Sequence, residues 1–213
     1  WLQPDWTLEP HLLRFQWREL QQRPDVTLTI TRCHASEWTM FRQHHYLSAE
    51  LNRSARCFLA RWKEIPVAFA AVLPLPGFVN TWREHRVVCL PDYQGLGIGS
   101  ALSSTVASIA LRATGGRYRS TTSHPGFIAS RARHTSWRLV QAPAGNTGHS
   151  RGTRRDGSRV TGLMKRRPRL RLAASHEYVG EPCANHDVAA ALWQAQPTAV
   201  KVGDQRSARR RSR

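Results

Sequence analysis

HRVVCLPDYQGLGIGSALSSTVASIAL, residues 85–111, joins a short apolar run to a glycine-rich turn and then to a helix-forming segment. Glycines stand at 95, 97 and 99, directly before the helix. Ordering a glycine costs more backbone entropy than ordering any other residue, so three at alternate positions point to a main chain that something approaches closely. A phosphate suits the arrangement, because backbone N–H groups converge at a helix N-terminus. Two familiar phosphate devices are excluded. No lysine follows the glycines as a P-loop requires, and no Asp or Glu lies between Asp92 and Asp156 to hold a ribose hydroxyl as the dinucleotide fingerprint requires.

Working outward, residues 26–33 (VTLTITRC) alternate like a strand, and 35–47 (ASEWTMFRQHHYL) read as a helix with Ser36 as its N-cap and Trp38, Phe41 and His45 along one face. ARCFLARW and PVAFAAVLPL, joined by KEIP, read as a hairpin, and 82–92 (WREHRVVCLPD) as a further strand. The helix after the glycines is expected over about 100–112 and stops at the TGG of 114–116. A strand is expected over 117–125 (RYRSTTSHP), a helix over 127–140 (FIASRARHTSWRLV) and a strand over 169–180 (RLRLAASHEYVG).

The 213 residues, 40% of them hydrophobic, suffice for one ordinary core. No stretch approaches the roughly 18 uninterrupted apolar residues of a membrane helix, because the most apolar run is broken by Pro74 and Pro76. Cys33, Cys57, Cys89 and Cys183 form no Cys-x-x-Cys pair, which suits a reduced, cytoplasmic protein. His44 and His45 are adjacent, about 100° apart on a helix, and no His-Glu-x-x-His occurs, so no metal is expected. The absence of Gly-x-Ser-x-Gly argues against a serine hydrolase. The chain starts at Trp1 rather than methionine and is expected to be a piece of something longer. The net charge of +18 is uneven, with 17 Lys/Arg against 9 Asp/Glu over 1–150 and 15 against 5 over 151–213.

Gln94-Gly95-Leu96-Gly97-Ile98-Gly99 resembles the Gln/Arg-x-x-Gly-x-Gly/Ala motif of the GNAT acetyltransferases, and the order of elements over 26–140, resuming near 170–180, resembles theirs as well. HHYLS, REHR and TTSHP further resemble a subgroup of acetyltransferase domains attached to nucleotide-binding ATPase domains, which implies an ATPase domain or subunit as partner. The resemblance implies an α/β fold with a mixed, mostly antiparallel twisted sheet, flanked by helices and splayed in a V between two parallel strands, RVVCLPD and RYRSTTS. The implied organisation is a lead-in over 1–25, an acetyltransferase core over 26–140, a basic flexible insertion over 141–168, a returning strand and helix over 169–195 and a disordered basic tail over 196–213.

By the same resemblance acetyl-CoA lies in the V, its pantetheine arm along the main chain of Cys89 and Leu90, and its pyrophosphate on the turn formed by Gln94, Gly95, Leu96, Gly97, Ile98, Gly99 and Ser100. Direct acetyl transfer to an amine needs a group to take the amine's proton and one to return a proton to the departing thiolate. Glu84 is the candidate base, with His85 as an alternative; otherwise Glu84 is a surface carboxylate paired with Arg83 or Arg86. The family often carries a tyrosine acid in the helix after the fifth strand. The segment 127–140 has none, which leaves His124, Tyr118 and His134 as candidates. The acceptor, whether protein, RNA or small molecule, is not legible. Residues 151–171 gather nine basic residues around one acidic residue, and Arg154, Arg155, Lys165, Arg166 and Arg167 suit contact with RNA or other nucleic acid. A non-catalytic nucleic-acid-binding module on a degenerate fold of this kind is the alternative reading.

Overall fold

The computed structural model describes residues 26–45, 50–145 and 172–197. The lead-in over 1–25, most of the basic insertion with its five nucleic-acid candidates, and the tail from 198 lie outside the described residues.

Among the described residues seven strands form one sheet in the order β1-β2-β3-β4-β5-β7-β6. They are β1 (Thr29–Cys33), β2 (Arg56–Trp62), β3 (Ile65–Pro74), β4 (Thr81–Cys89), β5 (Arg117–Thr122), β6 (Trp137–Gly145) and β7 (Leu172–Tyr178). The first four pair antiparallel, as do β5 with β7 and β7 with β6. The expected hairpin is present, and Lys63 and Glu64 turn it with φ of 47° and 68°, the left-handed pair that matches the twist of two-residue hairpins.

The helices are α1 (Trp38–Phe41), flanked by 3-10 turns over Ala35–Glu37 and Arg42–His44, then α2 (Ile98–Thr114), α3 (Pro125–Ala132) and α4 (His186–Gln194). The opening helix is thus shorter than expected, and His34 rather than Ser36 caps it: Ser36 N–H donates to His34 Nδ1. The expected helix over 127–140 is corrected more deeply. It stops at Ala132, and Trp137 opens a strand that pairs with Tyr178 and runs through 141–145, residues expected in the insertion.

One core lies beneath α2, where Ile98, Leu102, Val106 and Ile109 recur at helical spacing and meet Phe58, Ala68, Ala70 and Val72 of the sheet. Alanines at these sheet positions let the helix approach closely. From α4, Trp193 sits edge-on to Trp82 at 4.6 Å, completing this layer. On the other face Phe41 of α1 stacks on Phe69 at 5.6 Å; each is fully buried, worth about 1.5–3 kcal/mol per side chain.

The β4–β5 seam positions the site. These strands are parallel and pair only at Thr81↔Arg117, Trp82↔Tyr118 and Arg83↔Arg119. Beyond Arg83 they part. The register of β3 on β4 jumps from Ala71↔Arg86 to Val72↔Glu84, leaving His85 as an extra residue that bulges and bends β4 where the splay begins.

Candidate active site

The splay opens into a cleft of about 910 Å³ lined by β4 from Glu84 to Cys89, by the glycine turn and by the start of α3. Its floor is the free edge of β4. Leu90 N–H donates to Val67 O, so main-chain groups point toward β3 at alternate residues, and those of Val87 and Cys89 point into the opening. Leu90, expected beside Cys89, uses its N–H on Val67 and its carbonyl on Tyr93 N–H and does not line the cleft. Val87, missed in the sequence, takes that place by alternation alone.

The three glycines have separate physical reasons. Gly95 and Gly97 have φ of 85° and 82°, left-handed conformations that favour glycine, and a Cβ on either would meet nothing within 4 Å. Gly99 is a packing glycine, since a Cβ there would lie 3.3 Å from the Phe127 ring. Gly97 caps α2, so the N–H groups of Ile98, Gly99 and Ser100 lack intrahelical acceptors and face an anion-favouring helix end. Gln94 lines the cleft, with its side-chain amide donating to Cys89 O at 3.0 Å. Burial pushes the Cys89 thiol up to about 11, so it stays protonated and is no nucleophile at neutral pH.

Glu84 pairs with neither Arg83 nor Arg86. Its carboxylate accepts from Arg131 of α3 at 3.0 and 3.1 Å, from Ser103 of α2 at 2.5 Å and from Ser120 of β5 at 2.7 Å. Arg131 also donates to both serines and lies over the Trp137 ring at 4.4 Å, with its side chain 3% exposed. One buried cluster therefore ties β4, β5, α2 and α3 together at the root of the opening. Sequence reasoning missed Arg131, Ser103 and Ser120; a serine at 103 on the apolar face of α2 was the available signal.

The histidines are held as donors. His85 Nε2 accepts from Asn52 N–H, which leaves the hydrogen of the neutral ring on Nδ1. His124 caps α3 by accepting from Phe127 N–H at Nδ1, and His134 accepts from Ser136 N–H at Nδ1; their Nε2 atoms carry the hydrogen in the neutral ring. Both line the cleft. Tyr118, the other expected acid, is corrected: it is fully buried in the core under α2, does not line the cleft, and burial raises its hydroxyl well above the ordinary tyrosine range.

Burial, reinforced by Arg86, Arg83 and His45, lowers His85 from 6.5 to about 4. The unfolded chain then takes up this proton at a higher pH than the folded one, so stability drawn from neutral His85 is complete above pH 6.5 and is lost as pH falls toward 4. His176 is lowered too and adds to the parent's loss. Thermal unfolding of His85→Gln is expected to fall less steeply than that of the parent between these limits; parallel curves would refute the assignment.

The Acetyltransferase (GNAT) family model matches residues 14–134. The chain belongs to the GNAT acetyltransferase family. Its sheet, splay and flanking helices are also those of solved GNAT folds. A GNAT acetyltransferase from Elizabethkingia anophelis with acetyl-CoA bound is 13% identical, with 73% of this chain and 99% of that one covered at a TM-score of 0.52. A Bacillus subtilis acetyltransferase in complex with CoA gives 12%, 72%, 98% and 0.51. The ribosomal-protein-S18-alanine N-acetyltransferase of Escherichia coli gives 14%, 75%, 98% and 0.50. No curated protein matches the chain in sequence. Among the described residues of this GNAT chain, no helix is long and apolar enough to cross a membrane.

Proposed function

We propose that this protein is an acetyl-CoA-dependent N-acetyltransferase that passes the acetyl group directly to an amine. The observation that carries the reading is the coincidence of a β4 edge facing the opening at Val87 and Cys89 with a left-handed glycine turn at a helix end that has no side-chain cap, all in one cleft. The edge suits the amides of a pantetheine arm, and the N–H groups from Gly95 to Ser100 suit a pyrophosphate. The cofactor supplies an activated thioester. Solved GNAT folds holding CoA and acetyl-CoA support the assignment.

In the transfer a nitrogen–carbon bond forms, the carbon–sulfur bond breaks, the amine loses a proton and the thiolate gains one. Among the described residues Glu84 is the carboxylate that lines the cleft, and taking that proton requires it to release one of its serine donors. His124, which lines the cleft and caps α3 through Nδ1, is the proposed donor to the thiolate. Much of the rate comes from holding amine and thioester together. The acceptor class stays open among protein, RNA and small amines, and a cytoplasmic setting with an ATPase partner belongs to the same proposal.

Calorimetric titration with acetyl-CoA, followed by turnover on a panel of amines, tests the reading. Glu84→Gln is expected to lower turnover by about 10²-fold or more while changing acetyl-CoA affinity much less. Equal losses in both would reduce Glu84 to a clamp, and absent acetyl-CoA binding by the parent would end the enzyme assignment.

A further inference from the structure

The sheet face opposite α2 carries charge that acetyl transfer does not use. Register across β4, β5, β7 and β6 sets Arg83, Arg119, Glu177 and Arg138 in one row. Residues paired in register project to one face, and Arg117, two positions before Arg119, joins them. Four guanidiniums thus lie on one face around a single carboxylate, and three of them reach it. Arg117, Arg119 and Arg138 each lie 3.5 Å from Glu177, whereas Arg83 forms no ion pair with it, and among the described residues the buried Nε atoms of Arg83 and Arg119 have no hydrogen-bond partner.

Arg83 directly opposite Arg119 is a like-charge pair, which destabilises a sheet. It takes up one of only three register pairs in the β4–β5 seam. Local salt bridging does not account for it, because three arginines already overcompensate Glu177. Among the described residues the surface is open: the Arg117 and Arg138 side chains are 64% and 62% exposed. Phe78 of the β3–β4 connection is half exposed, with the Arg119 guanidinium 5.2 Å from its ring centre.

We propose that this face binds single-stranded nucleic acid, with backbone phosphates on Arg83, Arg117, Arg119 and Arg138 and a base stacked on Phe78. Sheet geometry spreads the charges over a grid of roughly 5–7 Å. A small anion fills one node of such a grid, whereas a phosphate chain follows several. The flat aromatic among the arginines is a base-stacking platform for which an acidic peptide has no use. A net charge of +18 draws polyanions from longer range. Because Arg83↔Arg119 is the last pair before the strands part, a strand bound here crosses the root of the cleft. The proposal stands apart from acetyl transfer and needs no bound cofactor.

The test is fluorescence anisotropy of labelled 12-mers of oligouridine and oligothymidine, titrated with the full chain over a range of salt. Arg83→Gln/Arg119→Gln is expected to weaken binding about tenfold or more and to reduce the slope of log affinity against log salt by about 0.7 for each phosphate no longer neutralised. Phe78→Ala is expected to weaken it about tenfold with the slope unchanged. Removing the like-charge pair leaves the thermal midpoint of the double variant at or above the parent's, which separates binding from folding. Arg138→Gln, on an exposed side chain, is the second variant and is expected to lower the slope as well. Unchanged affinity and slope in both variants would overturn the proposal and assign any binding to the arginine-rich sequence 151–171. Equally tight binding of a polyglutamate peptide of the same length would overturn it in favour of a face that reads acidic protein.

Discussion

Replacing Arg131 with methionine is expected to remove about 3–5 kcal/mol of folding stability, because it leaves the Glu84 carboxylate buried without its cation. Methionine keeps much of the volume against Trp137 and Phe127, so the loss reports charge and hydrogen bonds more than packing. Adding Glu84→Gln to this variant removes the stranded charge and is expected to restore a large part of the loss, since neither partner is then left alone. Urea unfolding of the parent, the single variant and the double variant measures this directly. A cost below about 1 kcal/mol for Arg131→Met, or no recovery in the double variant, would mean that the cluster does not anchor the opening.

Gly97→Trp is expected to weaken acetyl-CoA binding on the order of 100-fold or more, and two effects act together. A residue with a Cβ held at φ 82° pays about 1–2 kcal/mol of steric strain. The indole also enters space that is empty within 4 Å of the added Cβ, where the pyrophosphate is proposed to lie. Gly115→Asn is the control. It places a side chain at φ 62° on the far end of α2, outside the cleft, in a conformation that asparagine tolerates better than most residues. Its stability is expected to fall slightly with acetyl-CoA affinity unchanged. Calorimetric titration showing equal affinity for Gly97→Trp and the parent would remove the glycine turn from the cofactor site.

What the sequence disclosed depended on the range over which each residue acts. Gly95 and Gly97 were legible because the constraint is local, a backbone conformation that few other residues adopt. The Lys63-Glu64 hairpin and α2 were legible for the same reason, since their periodicity and turn are complete within a dozen residues. The segment 127–140 was misread because Phe127, Ile128 and Arg131 keep helical spacing, while Trp137 gains strand geometry only by pairing with Tyr178, forty-one positions later. Glu84 shows the same limit in the site. Neighbours in sequence suggested Arg83 or Arg86, yet its cation stands forty-seven residues away on a helix whose course no local pattern fixes. The bulge at His85 was equally hidden, since the register that defines it belongs to β3.

The narrow β4–β5 seam makes the protein two half-sheets held at a wedge. Under the proposed function, acetyl-CoA seated in that wedge would do what a missing stretch of strand would do, satisfying main-chain groups on β4 and bracing it against the second half. Occupancy and cohesion would then rise together by mass action, with the ligand-free protein the looser body. The cofactor of such a fold is, in mechanical terms, its mortar as much as its reagent.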